Sequence, residues 1–227
     1  MLQAKAAPVV ATPRINTFLA QVYLLMTVGL VITGLTASLV VRNQQFLLRL
    51  ATSPWLAWGL FLIQILVVVV LSGAVRRMAP GVAALLFLLY AALTGVTLST
   101  LALYYTSEHI AQVFWVAAGT FFLASLVGLV SKRDMSAGGG ALAMLLMGWM
   151  FAWFISFLFP QSNLNWFLCF AGVGLFVGLT VWDANRLKAI AVETGGRVPG
   201  GLVVIGALSL YLDFINLFLL LLRASRR

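Results

Sequence analysis

The sequence predicts an all-α membrane protein, a single polytopic bundle of membrane-crossing helices. Of its 227 residues, 63% are hydrophobic and 8% are charged. A water-soluble domain cannot hide so much apolar surface. Uncharged apolar runs of about 20 residues, the length that crosses the hydrocarbon core as a helix, also recur along the chain. No charged or Pro/Ser-rich linker is long enough to separate two domains, so we predict one.

Seven segments are predicted to cross the membrane: residues 18–41, 55–75, 81–107, 110–131, 141–159, 165–186 and 200–222. The fifth and sixth derive from one uncharged run, 137–182, which would extend ~69 Å as a single helix. That is about twice the hydrocarbon core, so the run must turn, and the polar stretch 160–165 is the predicted turn. Residues 1–17 are predicted to form a cytoplasmic tail, 18–223 the membrane domain, and 224–227 a short basic tail.

The basic side chains predict the orientation. The formal net charge is +9, and because Lys and Arg lie in short loops and tails, we expect membrane lipid head groups as partners, and no nucleic acid. An excess of Lys and Arg marks the cytoplasmic side, and placing the N-terminus inside gives that excess. The inner loops then hold Lys5, Arg14, Arg76, Arg77, Lys132, Arg133, Arg186, Lys188 and Arg197, and the outer loops hold Arg42 and Arg49.

The three remaining basic residues, Arg223, Arg226 and Arg227, leave two topologies open. Seven full crossings place them outside, whereas a last segment that dips into the membrane and returns places them inside. The charge rule mildly favours the second topology. The long uninterrupted apolar run of the last segment favours the first, and we expect seven crossings.

Asp213 stands in the middle of the last apolar run, where an ionisable group is costly. Such residues face a bundle interior or a water-filled cavity and mark an ion path, a proton site or a buried pair. Asp183 lies near the end of the sixth segment, and a short connection makes the last two segments plausible antiparallel neighbours. The carboxyl groups of the two aspartates are therefore predicted to meet. Three polar residues are expected to support them: Ser209 and Asn216, which share a helix face with Asp213, and Thr180.

Two close carboxylates in a medium of low dielectric constant cannot both stay ionised without a large cost, so the pair is expected to share a proton and to act as a pH switch. Their oxygens also form a weak site for calcium, which prefers six to eight oxygen ligands. Other interpretations stay open. Asp183 can be an interfacial residue paired with Arg186 three positions on, and Asp213 can be inert. Arg76 and Arg77 are either topological anchors or a latch that holds a carboxylate.

The sequence lacks the motifs on which other kinds of function would depend. The sequence has no phosphate-binding loop, no metalloprotease helix and no nucleophile elbow. Its single cysteine, Cys169, and single histidine, His109, make no metal cluster. We therefore expect that the protein is not an enzyme and has no catalytic residues and no cofactor. Two sets of small residues four apart are predicted to allow close helix packing: Ala91, Gly95 and Ser99 in one set, and Gly174 and Gly178 in the other.

The stretch Leu208-Ser-Leu-Tyr-Leu-Asp-Phe-Ile-Asn-Leu-Phe-Leu-Leu-Leu-Leu-Arg223 resembles the signature of the Bax inhibitor-1 family, the transmembrane Bax-inhibitor-motif proteins. Further matches lie at 92–99, 131–136 and 178–183. The resemblance covers nearly the whole chain beyond the N-terminal tail and is strongest to bacterial members.

The resemblance implies a seven-helix protein with the last helix at the centre. It also implies a pH-sensitive calcium leak in the bacterial inner membrane. In such a leak an aspartate pair in the last two helices senses protons, and an arginine at the end of the second helix can pair with it. Carried over, these residues are Asp183, Asp213 and either Arg76 or Arg77. The alternative function is a non-conducting interaction protein that modulates a membrane-anchored quality-control protease.

The predicted topology is testable with reporter fusions. Fusions at Ser136 and Ser162 are expected to lie on opposite sides of the membrane, and Ser136 on the same side as the N-terminus. A fusion after Arg227 distinguishes seven crossings from six. If Ser136 and Ser162 lie on the same side, the division of the run 137–182 into two helices is wrong.

Overall fold

The structure, a computed structural model, describes residues 11–132, 135, 138–158, 162–196 and 198–225, with the backbone alone for residues 11–13, 76, 157 and 162–164. Its helices are α1 (Ala11–Arg42), α2 (Gln44–Thr52), α3 (Pro54–Ala74), α4 (Pro80–Leu98), α5 (Ser107–Val130), α6 (Gly139–Leu158), α7 (Ser162–Glu193) and α8 (Gly200–Ala224). Short 3-10 turns follow α3 at Val75–Arg77 and α4 at Ser99–Leu103. The described part of the chain contains no β-strand, which confirms the all-α class.

Seven of these helices are long and apolar enough to cross a membrane, as predicted. The bounds differ most in three places, one of which is the end of α7 at Glu193, seven residues past the predicted end at 186. Helix α1 extends back to Ala11, the first described residue, and so includes part of the predicted tail. The α-helical part of the third segment ends at Leu98 and continues as a 3-10 turn to Leu103. The predicted turn at 160–165 lies partly outside the described residues.

The additional helix α2 was not predicted. Asn43 caps it by accepting a hydrogen bond from the Phe46 backbone N–H at 3.1 Å. Leu47 and Leu50 are buried against the bundle, while Arg49 is exposed. Nine residues are too few to cross the bilayer, so an amphipathic helix of this length is suited to lie along the membrane surface.

Helix α8 occupies the centre of the bundle. It packs on α1, α4, α5 and α7. Within its most apolar stretch of 18 residues 61% are buried, against 6–33% in the other six spans. This burial confirms the expectation that the last segment lies at the centre.

The two ends of α8 lie at opposite ends of the bundle. Gly200 and Gly201 at its start pack against Pro80 and the Val75 carbonyl, and the preceding turn, at Gly196, packs on Arg14 near the start of α1. We call this the N-terminal end. At the other, distal end, Ser225 Oγ lies 2.8 Å from His109 Nε2 at the start of α5. The helix therefore runs the full depth of the bundle, as the prediction of seven crossings requires.

Small residues bring two helix pairs into backbone contact. A Cβ atom at Gly95 of α4 would collide with the Thr33 carbonyl oxygen of α1, and one at Gly128 of α5 would collide with the Val181 carbonyl oxygen of α7. The close packing predicted at Gly95 is thus confirmed. The second set is divided: Gly174 faces open space, where a Cβ would meet nothing within 4 Å, whereas a Cβ at Gly178 would meet the Leu142 side chain of α6 at 3.7 Å.

These contacts predict unequal effects of adding one methyl group. Gly95→Ala is expected to force α1 and α4 apart and to lower stability by ~1–3 kcal/mol. The matched control Gly174→Ala adds the same group in open space and is expected to leave stability unchanged or to raise it slightly. The measurement is the temperature at which the detergent-solubilised protein loses its monodisperse peak. Equal midpoints for both variants would contradict the close approach at Gly95.

Candidate ion and proton site

The structure brings the two predicted aspartates together at the centre of the bundle. Asp183 of α7 and Asp213 of α8 are both buried, at 9% and 6% exposure. Their carboxyl groups lie within hydrogen-bonding range of each other, and Ser209, one turn before Asp213, also reaches Asp183. Two antiparallel neighbouring helices, α7 and α8, therefore supply the pair, as their short connection indicated.

The contact between the two carboxyl groups has a chemical requirement. An ionised carboxylate only accepts hydrogen bonds, so a hydrogen bond between two of them needs one proton. The Asp213 Oδ2 atom accepts no hydrogen bond from a donor among the described residues. That oxygen is therefore available for the proton that the pair requires, for a water molecule or for a cation.

Two further hydroxyl groups lie beside the pair. Tyr23 of α1 is close to both Ser125 of α5 and Asp183. The Tyr23 and Ser125 hydroxyl oxygens are buried, and neither completes a hydrogen bond with a described residue. Leaving such a group unsatisfied costs about 1–3 kcal/mol. Helices α1, α5, α7 and α8 therefore surround a polar site whose free oxygens are suited to hold water or a cation.

The sequence did not identify Tyr23 or Ser125. Each is a single hydroxyl residue within an apolar run, a pattern that many membrane helices show for packing reasons alone. Their position became informative only when the folded bundle placed them next to Asp183.

Two of the predicted supporting residues lie in other surroundings. Thr180 is fully buried, and its hydroxyl donates to the Phe176 carbonyl of its own helix at 2.8 Å. Asn216 donates to the Leu212 carbonyl at 2.9 Å and lines a separate cavity of about 340 Å³ between α6 and α8. Of the three, Ser209 is the one that the structure places against the aspartates.

The predicted latch arginines follow α3 at the N-terminal end. Their turn, Val75–Arg77, packs on the start of α8, where the Val75 carbonyl lies beside Gly201. Arg77 is exposed, and the side chain of Arg76 lies outside the described residues. The latch therefore stays a prediction.

Arg186 is the described cation that acts on Asp183. It attracts the Asp183 carboxylate electrostatically from three positions further along α7. Its guanidinium carbon lies 5.2 Å from the centre of the Trp182 ring, which holds the side chain over the aromatic face. The interpretation of Asp183 as a partner of Arg186 is thus compatible with its contact to Asp213.

Hydrogen bonds fasten the segment of α7 that carries Asp183. The Asn185 amide donates to the Gly128 carbonyl and accepts from the Met135 backbone N–H, both at 3.1 Å. Trp182 Nε1 donates to the Met135 carbonyl at 2.9 Å, and Lys188 donates to the Ser131 carbonyl at 3.1 Å. Asn185 and its neighbours thereby hold α7 in register with the end of α5 and the residues that follow it.

The donor set is suited to a weak hard-cation site. Among the described residues, no third His, Cys, Asp or Glu joins the pair to make a metal-binding group. Two carboxyl groups and nearby hydroxyls supply fewer ligands than the six to eight oxygens that calcium prefers. A tightly held structural metal is not what this arrangement favours.

The fold and the site define a multi-pass membrane protein whose central helix carries a buried carboxyl pair. The family model of the inhibitor of apoptosis-promoting Bax1 matches residues 15–225. The chain is 41% identical to the inner membrane protein YbhL of Escherichia coli K12 over 212 residues, which cover 92% of this chain and 91% of YbhL. It is 38% identical to an uncharacterized protein of Deinococcus radiodurans and 37% identical to one of Borreliella burgdorferi, each over 210 residues, 92% of this chain and 90% of the relative. The chain therefore belongs to the Bax inhibitor-1 family, which confirms the resemblance.

Proposed function

We propose that this protein is a pH-sensitive leak conduit for calcium or similar cations in the bacterial inner membrane. The observation that carries the proposal is the buried contact between Asp183 and Asp213, together with an Asp213 Oδ2 atom that no donor among the described residues reaches. An ionisable pair at this depth is costly, and such residues in membrane segments typically mark a functional site. The name of the relative YbhL, an inner membrane protein, supports the location.

The charge of the pair links pH to cation flux. When both carboxyl groups are ionised, their two negative charges attract a cation into the centre of the bundle. When pH falls and the pair takes up protons, the attraction weakens. The few oxygen ligands keep binding weak, as a conduit requires, because an ion that binds tightly does not leave.

The alternative function is a non-conducting protein that modulates a membrane-anchored protease. Such a protein acts through its surface and has no use for a buried carboxyl pair. The pair therefore favours the conduit, and a flux measurement decides between the two.

Calcium flux into liposomes containing the purified protein tests the proposal. The wild-type protein is expected to admit calcium at a rate that depends on pH, because the pair takes up protons as the pH falls. Asp213→Asn is expected to abolish this pH dependence, because an amide does not titrate. Stability is expected to change little, because an amide is close in size and polarity to the protonated carboxyl group.

Glu193→Gln is the matched control. It removes a carboxylate at the exposed end of α7, the helix that carries Asp183, and is expected to leave both rate and pH dependence unchanged. A well-folded wild-type protein that admits no calcium or other cation at any pH would contradict the conduit. Equal pH profiles of wild type and Asp213→Asn would remove the pair from the gating mechanism.

The latch hypothesis makes a separate prediction. A guanidinium holds an ionised carboxylate with hydrogen bonds worth ~1.5–3 kcal/mol, so removing the latch arginine by Arg76→Ala or Arg77→Ala is expected to raise flux at neutral pH on the order of tenfold. Replacement of whichever of the two arginines is not the latch is expected to affect mainly membrane insertion. Since protonation loosens the latch but also weakens cation attraction, wild-type flux is expected to peak at intermediate pH.

Arg14→Ala is the control for the latch, because Arg14 is an exposed arginine at the same end of the bundle. If neither single replacement nor the double replacement changes flux, the two arginines are topological anchors only.

A further inference from the structure

A large cavity occupies the distal half of the bundle, away from the N-terminal end. Its volume is about 1120 Å³, above the ~300–1,000 Å³ typical of pockets for small ligands. Helices α1 and α5 form its walls, the turn Ser99–Leu103 contributes to its lining, and α8 forms its floor with Phe214, Ile215 and Phe218. This cavity is separate from the residues that surround the aspartate pair.

One wall of the cavity is incomplete. Helices α1 and α5 both pack on α8, from two sides, but they do not pack closely on each other. The cavity therefore has a gap in its wall between these two helices. Phe114, on the α5 wall, keeps 36% of its surface exposed, and Val41, near the end of α1, keeps 39%. These exposed apolar side chains suit contact with a hydrocarbon chain from the membrane.

The lining of the cavity favours an apolar occupant over water. At its inner end the Thr33 hydroxyl lies 2.7 Å from the Tyr211 hydroxyl and donates to backbone carbonyl groups, so both hydroxyls have partners. The Ser99 hydroxyl donates to the Val96 carbonyl at 2.6 Å. Among the described lining residues, no buried side-chain oxygen or nitrogen is left without a partner. A buried water is held by unsatisfied polar groups, and the deep part of this cavity offers none.

A single cation stands at the distal rim. Of the described residues that line the cavity, Arg42 alone carries a charge. Arg42 is the last residue of α1, and its side chain is exposed. Its guanidinium forms no hydrogen bond or ion pair with another described residue. The hydroxyl residues Ser38, Thr106 and Ser107 also belong to the lining. An apolar body with one cationic rim matches an amphiphile that has a hydrocarbon chain and an anionic head group.

We propose that this cavity binds an anionic phospholipid, with an acyl chain between α1 and α5 and the phosphate group on Arg42. The lipid completes the wall that the gap leaves open and rests on the helix that carries Asp213. The proposal holds whether or not the protein conducts cations, because it depends on a different set of residues.

Gly34 offers a way to fill the cavity without disturbing the fold. It lines the cavity on α1, and a Cβ atom there would meet nothing within 4 Å. Gly34→Leu is therefore expected to occupy space that the acyl chain uses. Gly148→Leu is the matched control, because Gly148 is also exposed with open space around it but lies on α6, outside the cavity.

Lipid binding is measured by native mass spectrometry of the purified protein titrated with phosphatidylglycerol or with phosphatidylcholine of the same chains. The wild-type protein is expected to retain one phosphatidylglycerol in preference to phosphatidylcholine. Arg42→Gln is expected to weaken phosphatidylglycerol binding about fivefold, the equivalent of ~1 kcal/mol, while Arg49→Gln, on the surface helix α2, leaves it unchanged. Gly34→Leu is expected to weaken the binding of both lipids, and Gly148→Leu to weaken neither. Equal retention of the two lipids by the wild type, or unchanged binding in both Arg42→Gln and Gly34→Leu, would overturn the proposal.

A labelling experiment in membranes distinguishes a lipid from a water-filled vestibule. Ala37 lines the cavity, so Ala37→Cys, in a Cys169→Ala background, is expected to react slowly with a membrane-impermeant maleimide in phosphatidylglycerol bilayers. Glu108→Cys, at an exposed position at the start of α5, is expected to react fast. Equally fast reaction at both positions would show that water fills the cavity and would refute the lipid.

Discussion

The contact between Asp183 and Asp213 constrains the whole bundle, because a carboxyl pair is stable in the membrane only where the protein shields it from lipid. Helix α8 must then lie at the centre, with α1, α4, α5 and α7 around it. The other helices can expose large apolar side chains to lipid, as Trp115 and Leu66 do. In this sense one polar contact determines which helix is inside and which faces of the others point outward.

Helix α8 presents two different polar environments within one turn. Tyr211, two residues before Asp213, is fully buried, bonds to Thr33 and packs edge-on against the rings of Phe87 and Tyr90. Its polar group is satisfied and its ring is held by neighbours, so this side is a rigid part of the core. The side of Asp213 has free oxygens instead. The part of the helix around Tyr211, where the polar groups are hydrogen-bonded, therefore maintains the fold. The part around Asp213, where oxygens lack partners, can exchange ligands.

Much of this architecture is predictable from the sequence, for identifiable reasons. Apolar run length predicts the seven spans because the bilayer sets a fixed length for each. The rarity of acids in such runs predicts the Asp183 and Asp213 pair. Helix α2 was not predicted because a short amphipathic segment between two spans is not long enough to be recognised by the length of its apolar run. The roles of Gly174 and Asn216 depend on helix rotation, which spacing along one helix does not determine, and the neighbourhood of Tyr23 depends on which helices pack together.

The position of the central helix also has a consequence for biosynthesis. Helix α8 comes after all the helices on which it packs, so during synthesis those helices enter the membrane before the element that joins them exists. Asp213 lowers the tendency of α8 to enter lipid alone. Inside the bundle, Asp183 provides Asp213 with a polar partner. Assembly of the bundle therefore waits for the final segment to leave the ribosome. A chain truncated before it would leave the inner faces of α1, α4, α5 and α7 uncovered, a state that membrane quality-control systems can distinguish from the finished protein.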